Sequence, residues 1–350
     1  MSSPRSSTFK SLLARHETVL VLVILFEVIL FQVLGRNFLT GGNVSNVFRH
    51  SVEIGLLALA MSPVILTGGI DLSVGSMMGL CAVLFGMMVN ALGMDPWLAG
   101  FIAIGIGAMG GGVNAMLITR LNLPPLIVTL GTFSLFRGLA EALTKGAESY
   151  SGFPPSFLAL GNSDIAGLPA QIWVFFVVAG GIWFLVHRTT LGRSFRAIGY
   201  ASEGARYAGI PVNRNTSLAY IIAGAVAGLA AVILVARLGE ARANAGIGYE
   251  LLAITAVVLG GVSIFGGSGT VVGTILGWVA LAFLNNGLTR ISDYKIMDQT
   301  VASVARELSG LLTGLLLLSA LAIGAVTKTL AVRRARNQSL SKATPNPATS

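Results

Sequence analysis

Apolar runs of about twenty residues recur along the whole chain, and they decide its solvent before anything else. Such a run crosses a bilayer as one helix, and within lipid each backbone polar group must find its partner inside the spanning structure. Runs of this kind lie near residues 18–34, 52–69, 72–92, 97–118, 124–143, 170–186, 216–236, 250–264, 270–288 and 301–326. Ten spans are expected, with eight to ten as the range, because 250–264 is short and reads equally as a re-entrant segment. Only 11% of the 350 residues are charged, against about 25% in a soluble domain. The expected fold class is therefore an all-α integral membrane protein. The first run follows Arg5, Lys10 and Arg15, and no small-residue cleavage pattern ends it, so it is read as a retained helix.

Orientation follows from the basic residues. With ten spans and a cytoplasmic N-terminus, fourteen Lys/Arg fall in cytoplasmic segments, seven fall outside, and Arg137 and Arg306 lie within spans. That two-to-one bias places both termini, residues 1–17 and 327–350, in the cytoplasm, with the permeating body at 18–326. The tail after Arg336 is polar and reads as disordered. The net charge of +9 fits attraction to an anionic leaflet, and no basic stripe with interleaved aromatics points to nucleic acid.

The most hydrophilic interior stretch, residues 188–214, carries Arg188, Arg193, Arg196, Arg206 and Arg214 against one acid, Glu203. Ser202 is positioned as an N-cap, Gly209 as a helix-ending glycine, and Pro211 forbids continuation. One short cytoplasmic helix is expected there. Its charges would also arise in a loop that only fixes topology.

Two glycine-broken apolar hairpins lie far apart in the chain. LTGGIDLSVGS covers 66–76 and VLGGVSIFGGS covers 258–268. A shift of 192 pairs Gly68 with Gly260, Gly69 with Gly261 and Asp71 with Ser263. Paired interruptions of this kind point to an internal repeat beside a transport pathway, although glycine-rich spans also coincide by composition. Residues 35–47 read as a turn-like external excursion. The longest external loop, 145–169, is aromatic and proline-rich, suited either to docking an outside protein or to closing over the bundle.

GIGAMG at 105–110 matches a dinucleotide fingerprint, but no strand precedes it. Glycines four apart, at Gly107/Gly111, Gly224/Gly228, Gly273/Gly277 and Gly310/Gly314, suit close helix packing instead. No Gly-Lys pair exists in the chain, so a phosphate-binding loop is absent; if the protein works uphill on ATP, another subunit must bind the nucleotide and its magnesium. His16, His50 and His187 are dispersed, which excludes the H-E-x-x-H type of metal cluster. Neither a metal nor a catalytic residue is expected, and a transporter is favoured over an enzyme. Among ionisable residues in spans, Glu27 and Glu53 sit near span edges and are expected to reach the interface. Arg137/Glu141 can neutralise each other one turn apart, and Arg306/Glu307 diverge around their helix. The polar residues Asn114, Thr129, Thr132, Asn285 and Asn286, with Arg137, could face a hydroxyl-rich solute or join helices. An autonomous secondary transporter or channel is the rival reading, for which Glu141 and Glu307 are weak ion-coupling candidates.

The segments GGIDLSVG at 68–75, EGARYAGI at 203–210 and AITAVVLGGVSIFGGSG at 253–269 resemble the permease subunits of bacterial ABC-type monosaccharide importers, within the ribose/branched-chain amino acid permease superfamily. The likeness covers residues 18–325. SGFPPSF at 151–157 and IPVNR at 210–214 are similar to the autoinducer-2 branch, and Gly204 stands where many relatives have alanine. The resemblance implies a bacterial inner-membrane permease that pairs with an identical or homologous second permease. It also implies two ATP-binding cassette subunits and a periplasmic substrate-binding protein. Glu203, Gly204, Ala205, Arg206 and Gly209 would belong to the helix that docks into the ATPase. Gly68, Gly69, Asp71, Asn114, Thr132, Arg137, Gly260, Gly261, Asn285 and Asn286 are the candidates for the pathway and its broken hairpins.

Overall fold

The computed structural model describes residues 16–34, 37–146, 148–291, 311 and 314–315. The expected tenth span falls almost wholly outside them, as do Arg306, Glu307, Gly310 and the tail at 327–350. The long helices are α1 (His16–Leu34), α2 (Gly41–Leu66), α4 (Pro96–Thr119), α5 (Pro125–Leu143), α7 (Ala170–Arg188), α10 (Val212–Leu238) and α12 (Val271–Ile291). Between them lie the shorter α3 (Val74–Asn90), α6 (Pro155–Asn162), α8 (Thr190–Tyr200), α9 (Ser202–Tyr207) and α11 (Tyr249–Leu259). Among the described residues, seven helices are long and apolar enough to cross a membrane. The two pairs of two-residue strands, β1 (Tyr150–Ser151) with β4 (Glu240–Ala241) and β2 (Asp164–Ile165) with β3 (Leu168–Pro169), only pin loops. This is an all-α membrane protein.

Packing depends on missing side chains. The helices α4 and α10 share the most extensive contact in the bundle. A Cβ at Gly224 would stand 2.0 Å from the Gly107 carbonyl oxygen, and one at Gly107 would stand 2.2 Å from that of Gly224. In lipid no hydrophobic force draws helices together, so close backbone approach and dispersion do it. Gly273 and Gly277 do the same for α12 against α11, facing the carbonyls of Gly260 and Ala256.

The structure departs from the sequence reading at residues 41–51. These are helical, because the Thr40 side chain caps the Asn43 amide and starts α2 eleven residues before the expected span; among the described residues only 37–40 remain an excursion. Loops sort cleanly onto two ends. At one end Asn90 donates to Ser151 O, Asn162 to Ala236 O and Arg49 to Gly161 O. At the other, Gly267 N donates to Leu66 O and Asn213 to Thr119 O, and His16 Nε2 meets Leu259 O. Each contact joins segments that the crossing parity assigns to the same side.

Candidate functional site

Between α2 and α3 the chain leaves helical geometry at 67–73 and places a buried polar chain there. Asp71 Oδ1 accepts from the Ser73 amide at 2.9 Å and from Ser73 Oγ at 2.6 Å. Ser73 Oγ accepts from Asn114 Nδ2 at 2.8 Å, and Asn114 Oδ1 accepts from Thr132 Oγ1 at 2.7 Å. Thr129 Oγ1 donates to Ile70 O. All five side chains are buried. The carboxylate also precedes the start of α3, where the helix dipole favours negative charge.

A second helix start faces the first. The helix α11 has 11 residues, about 16 Å at 1.5 Å per residue, roughly half the hydrocarbon thickness of about 30 Å. It does not cross alone; the irregular segment 242–248 precedes it, turning at Gly246 (φ +74°) and Gly248 (φ +81°). A Cβ on Gly246 would lie 2.5 Å from Gly75 O, so this segment abuts the first turn of α3. Glu250 Oε1 accepts from the Gly248 amide at 3.2 Å. Its Oε2 lies over Gly75, where a Cβ would stand only 2.1 Å away, and finds no hydrogen-bond partner among the described residues. Non-helical backbone inside a bundle must still be satisfied. Arg137 does this, donating to the carbonyls of Ala243 and Ala245. The guanidinium thus serves the carbonyls of a distant loop, with the charges of Glu250 and Glu141 also acting on it.

Four expected pathway residues, Asp71, Asn114, Thr132 and Arg137, thus gather around two abutting helix starts, together with Glu250, which sequence reasoning did not single out. Glu250 was legible as the first residue of the expected eighth span. Gly68 and Gly69 follow α2 just before the polar segment, and Gly260 and Gly261 follow α11 at the end away from Glu250. Gly69 N bonds Val64 O and Val262 N bonds Val257 O, the same helix-ending motif twice, with Gly68 at φ +84° and Gly261 at φ +82°. In three dimensions the two helix ends therefore align at an offset of 193, one residue from the sequence register. Asn285 and Asn286 stand apart. They line a cavity of about 280 Å³ between α2 and α12, with Asn46, His50, Ser51 and Trp278. Asn286 exchanges hydrogen bonds with Asn43, which also accepts from Arg290.

The external-type loops are locked by ions. Glu53 is wholly buried and pairs with Arg237, and Glu27 is buried too. Neither reaches an interface, contrary to the sequence expectation, because α2 begins a full three turns earlier and α1 turns Glu27 inward. Arg49 pairs with Asp164, and hydrogen bonding to Arg242 holds the Glu240 carboxyl below its usual range.

The hydrophilic stretch forms two helices where one was expected. Thr189 caps α8 through the Gly192 amide, and α8 buries Gly192, Phe195 and Ile198. Ala201, not Ser202, precedes α9, and no side chain caps it. Gly209 takes φ +78°, and Ile210 N closes on Ala205 O, as a glycine-ended helix requires. Glu203, Gly204, Arg206 and Gly209 are exposed, and Ala205 is buried. Tyr200 and Tyr207 at the two helix ends are each 88% exposed.

Residues 43–321 match the family model described as branched-chain amino acid transport system / permease component. The chain belongs to this permease family. Over 307 residues it is 37% identical to the autoinducer 2 import system permease protein LsrD of Salmonella paratyphi A, covering 86% of this chain and 89% of that one. The LsrD of Photorhabdus laumondii is 37% identical over 309 residues, 87% of this chain and 89% of its own. The LsrD of Yersinia enterocolitica is 41% identical over 243 residues, covering 68% and 73%. No solved structure matches the chain. A permease of this family is a transporter subunit, and this one is a multi-pass inner-membrane protein.

Proposed function

We propose that this permease is the membrane-spanning subunit of an ATP-driven importer for a monosaccharide-like solute of the autoinducer 2, ribose or rhamnose class. Likeness to three autoinducer 2 permeases along most of the chain carries the solute class. The exposed α8–α9 elbow supports the drive. It presents Glu203, Gly204, Arg206 and Gly209 outward, in a chain whose sequence has no phosphate-binding loop. Two ATP-binding subunits would hold ATP and magnesium and receive α9. A second permease, identical or homologous, would complete the pathway, and a periplasmic binding protein would deliver the solute. The basic loops assign the elbow's end of the bundle to the cytoplasm.

Alternating access would work at the two abutting helix starts. Interrupted helices whose amino ends meet inside a bundle are where transporters bind solute. The chain Asp71–Ser73–Asn114–Thr132 and the Arg137 and Glu250 side chains supply hydroxyl-matching donors and acceptors there. The transport step makes and breaks no covalent bond.

Uptake of labelled autoinducer 2, ribose and rhamnose tests this in proteoliposomes holding the permease, its ATP-binding subunits and its binding protein. ATP-dependent accumulation of one of the three is expected from the full set. Accumulation by the permease alone on an ion gradient would overturn the reading in favour of a secondary transporter.

A further inference from the structure

The structure assigns a force-transmitting role to a junction of three backbones at Gly199, Leu66–Gly68 and Gly266–Gly267. This rests on the proposed coupling of α9 to an ATPase and names how motion would leave it. The α9 helix follows α8 after one residue, Ala201, so any displacement of α9 reaches Gly199 and Tyr200 at once. At Gly199 a Cβ would stand 2.0 Å from the Leu66 carbonyl oxygen, 2.5 Å from the Gly267 nitrogen and 2.9 Å from the Gly266 Cα. From the opposite side, a Cβ on Gly266 would meet the Gly199 Cα at 2.8 Å and the Gly68 nitrogen at 2.8 Å. The Gly267 amide donates to Leu66 O at 3.0 Å, tying the two breaks together under α8.

Three segments that meet backbone to backbone at Gly199, with no side chain between them, leave little slack to absorb a displacement. Leu66 ends α2, and the 67–73 segment after it carries Asp71 and Ser73 toward the start of α3. The 260–270 segment follows α11 directly, and α11 carries Glu250 at its other end. A push on α9 would therefore move both halves of the polar centre from a single point. Gly199 lies outside residues 203–209, which the proposed function gives to the ATPase.

The test uses the assembled importer with labelled solute and reads solute imported per ATP hydrolysed. Gly199→Ala is expected to insert, to copurify with the ATP-binding subunits and to lower that ratio about tenfold or more, the added carbon forcing the backbones apart. Gly267→Ala, whose Cβ would lie 3.1 Å from Tyr200 N and 3.2 Å from its Cα and whose φ of +81° disfavours a side chain, perturbs the junction from the other segment and should lower the same ratio. Wild-type ratios in both variants would overturn the role of the junction, and so would failure of both to insert, which would make it a folding contact only. Glu203→Lys is the separate arm. Normal copurification and uptake in that variant would sink the coupling reading itself, whatever the glycine variants do.

Discussion

Arg237 Nε donates to Glu53 Oε1 across 2.8 Å, with the Glu53 side chain wholly enclosed. The pair links the outer part of α2 to the end of α10, and His50 Nδ1 lies 3.2 Å from the same guanidinium. Removing one partner of a buried pair leaves an uncompensated charge and costs about 3–5 kcal/mol, whereas an apolar replacement of both is often neutral. Arg237→Met should sharply lower the thermal stability of the detergent-solubilised protein. Adding Glu53→Leu should recover most of the loss. A double variant as unstable as the single one would show that the pair does more than neutralise itself.

The guanidinium of Arg137 occupies the carbonyls of Ala243 and Ala245. Arg137→Met strands both, at about 1–3 kcal/mol for each unsatisfied group, and should loosen the segment before α11. A cysteine placed at Ala243 should resist a membrane-impermeant maleimide in the parent and react in the Arg137→Met background. Cys81, wholly buried, stays in place in both. Equal labelling in the two backgrounds would remove Arg137 from this role.

Gly209 stands at φ +78° with open space around it, so substitution there is conformational and not steric. The left-handed region costs most residues about 1–2 kcal/mol and asparagine less. Gly209→Val should reshape the end of α9 and reduce ATP-dependent uptake, while Gly209→Asn should lose less. The order reversed, or no loss in either, would argue against α9 as the docking element.

Gly224→Ala and Gly105→Ala form a matched pair. The first drives a methyl into the Gly107 carbonyl, while the second meets nothing within 4 Å. Overpacking of this kind costs about 1–3 kcal/mol or more. Melting of the solubilised protein should fall for Gly224→Ala and stay unchanged for Gly105→Ala. Similar melting in both would mean that α4 and α10 can separate freely.

Much of this protein is legible in one dimension because lipid imposes one-dimensional rules. A span needs a fixed length of apolar residues, and basic residues bias orientation. The helices α1, α4, α5, α7 and α10 therefore lie close to the expected runs. The glycine at 209 also announced its helix end, since only a few residue types tolerate that conformation. What the sequence left hidden depends on partners brought together from afar. Glu53 reads as an interfacial acid until α10 supplies Arg237, and nothing along the chain tells that the Arg137 guanidinium reaches the 243–245 carbonyls. Gly199 looked like one glycine among 44; only when Leu66 and Gly267 converge on it does the absent side chain acquire a reason. Apolar length is a property of a segment by itself, so the sequence alone determined most of the described spans. Satisfying buried polar groups and closing backbone contacts are properties of pairs, so only the tertiary structure decided where the polar centre and its junction lie.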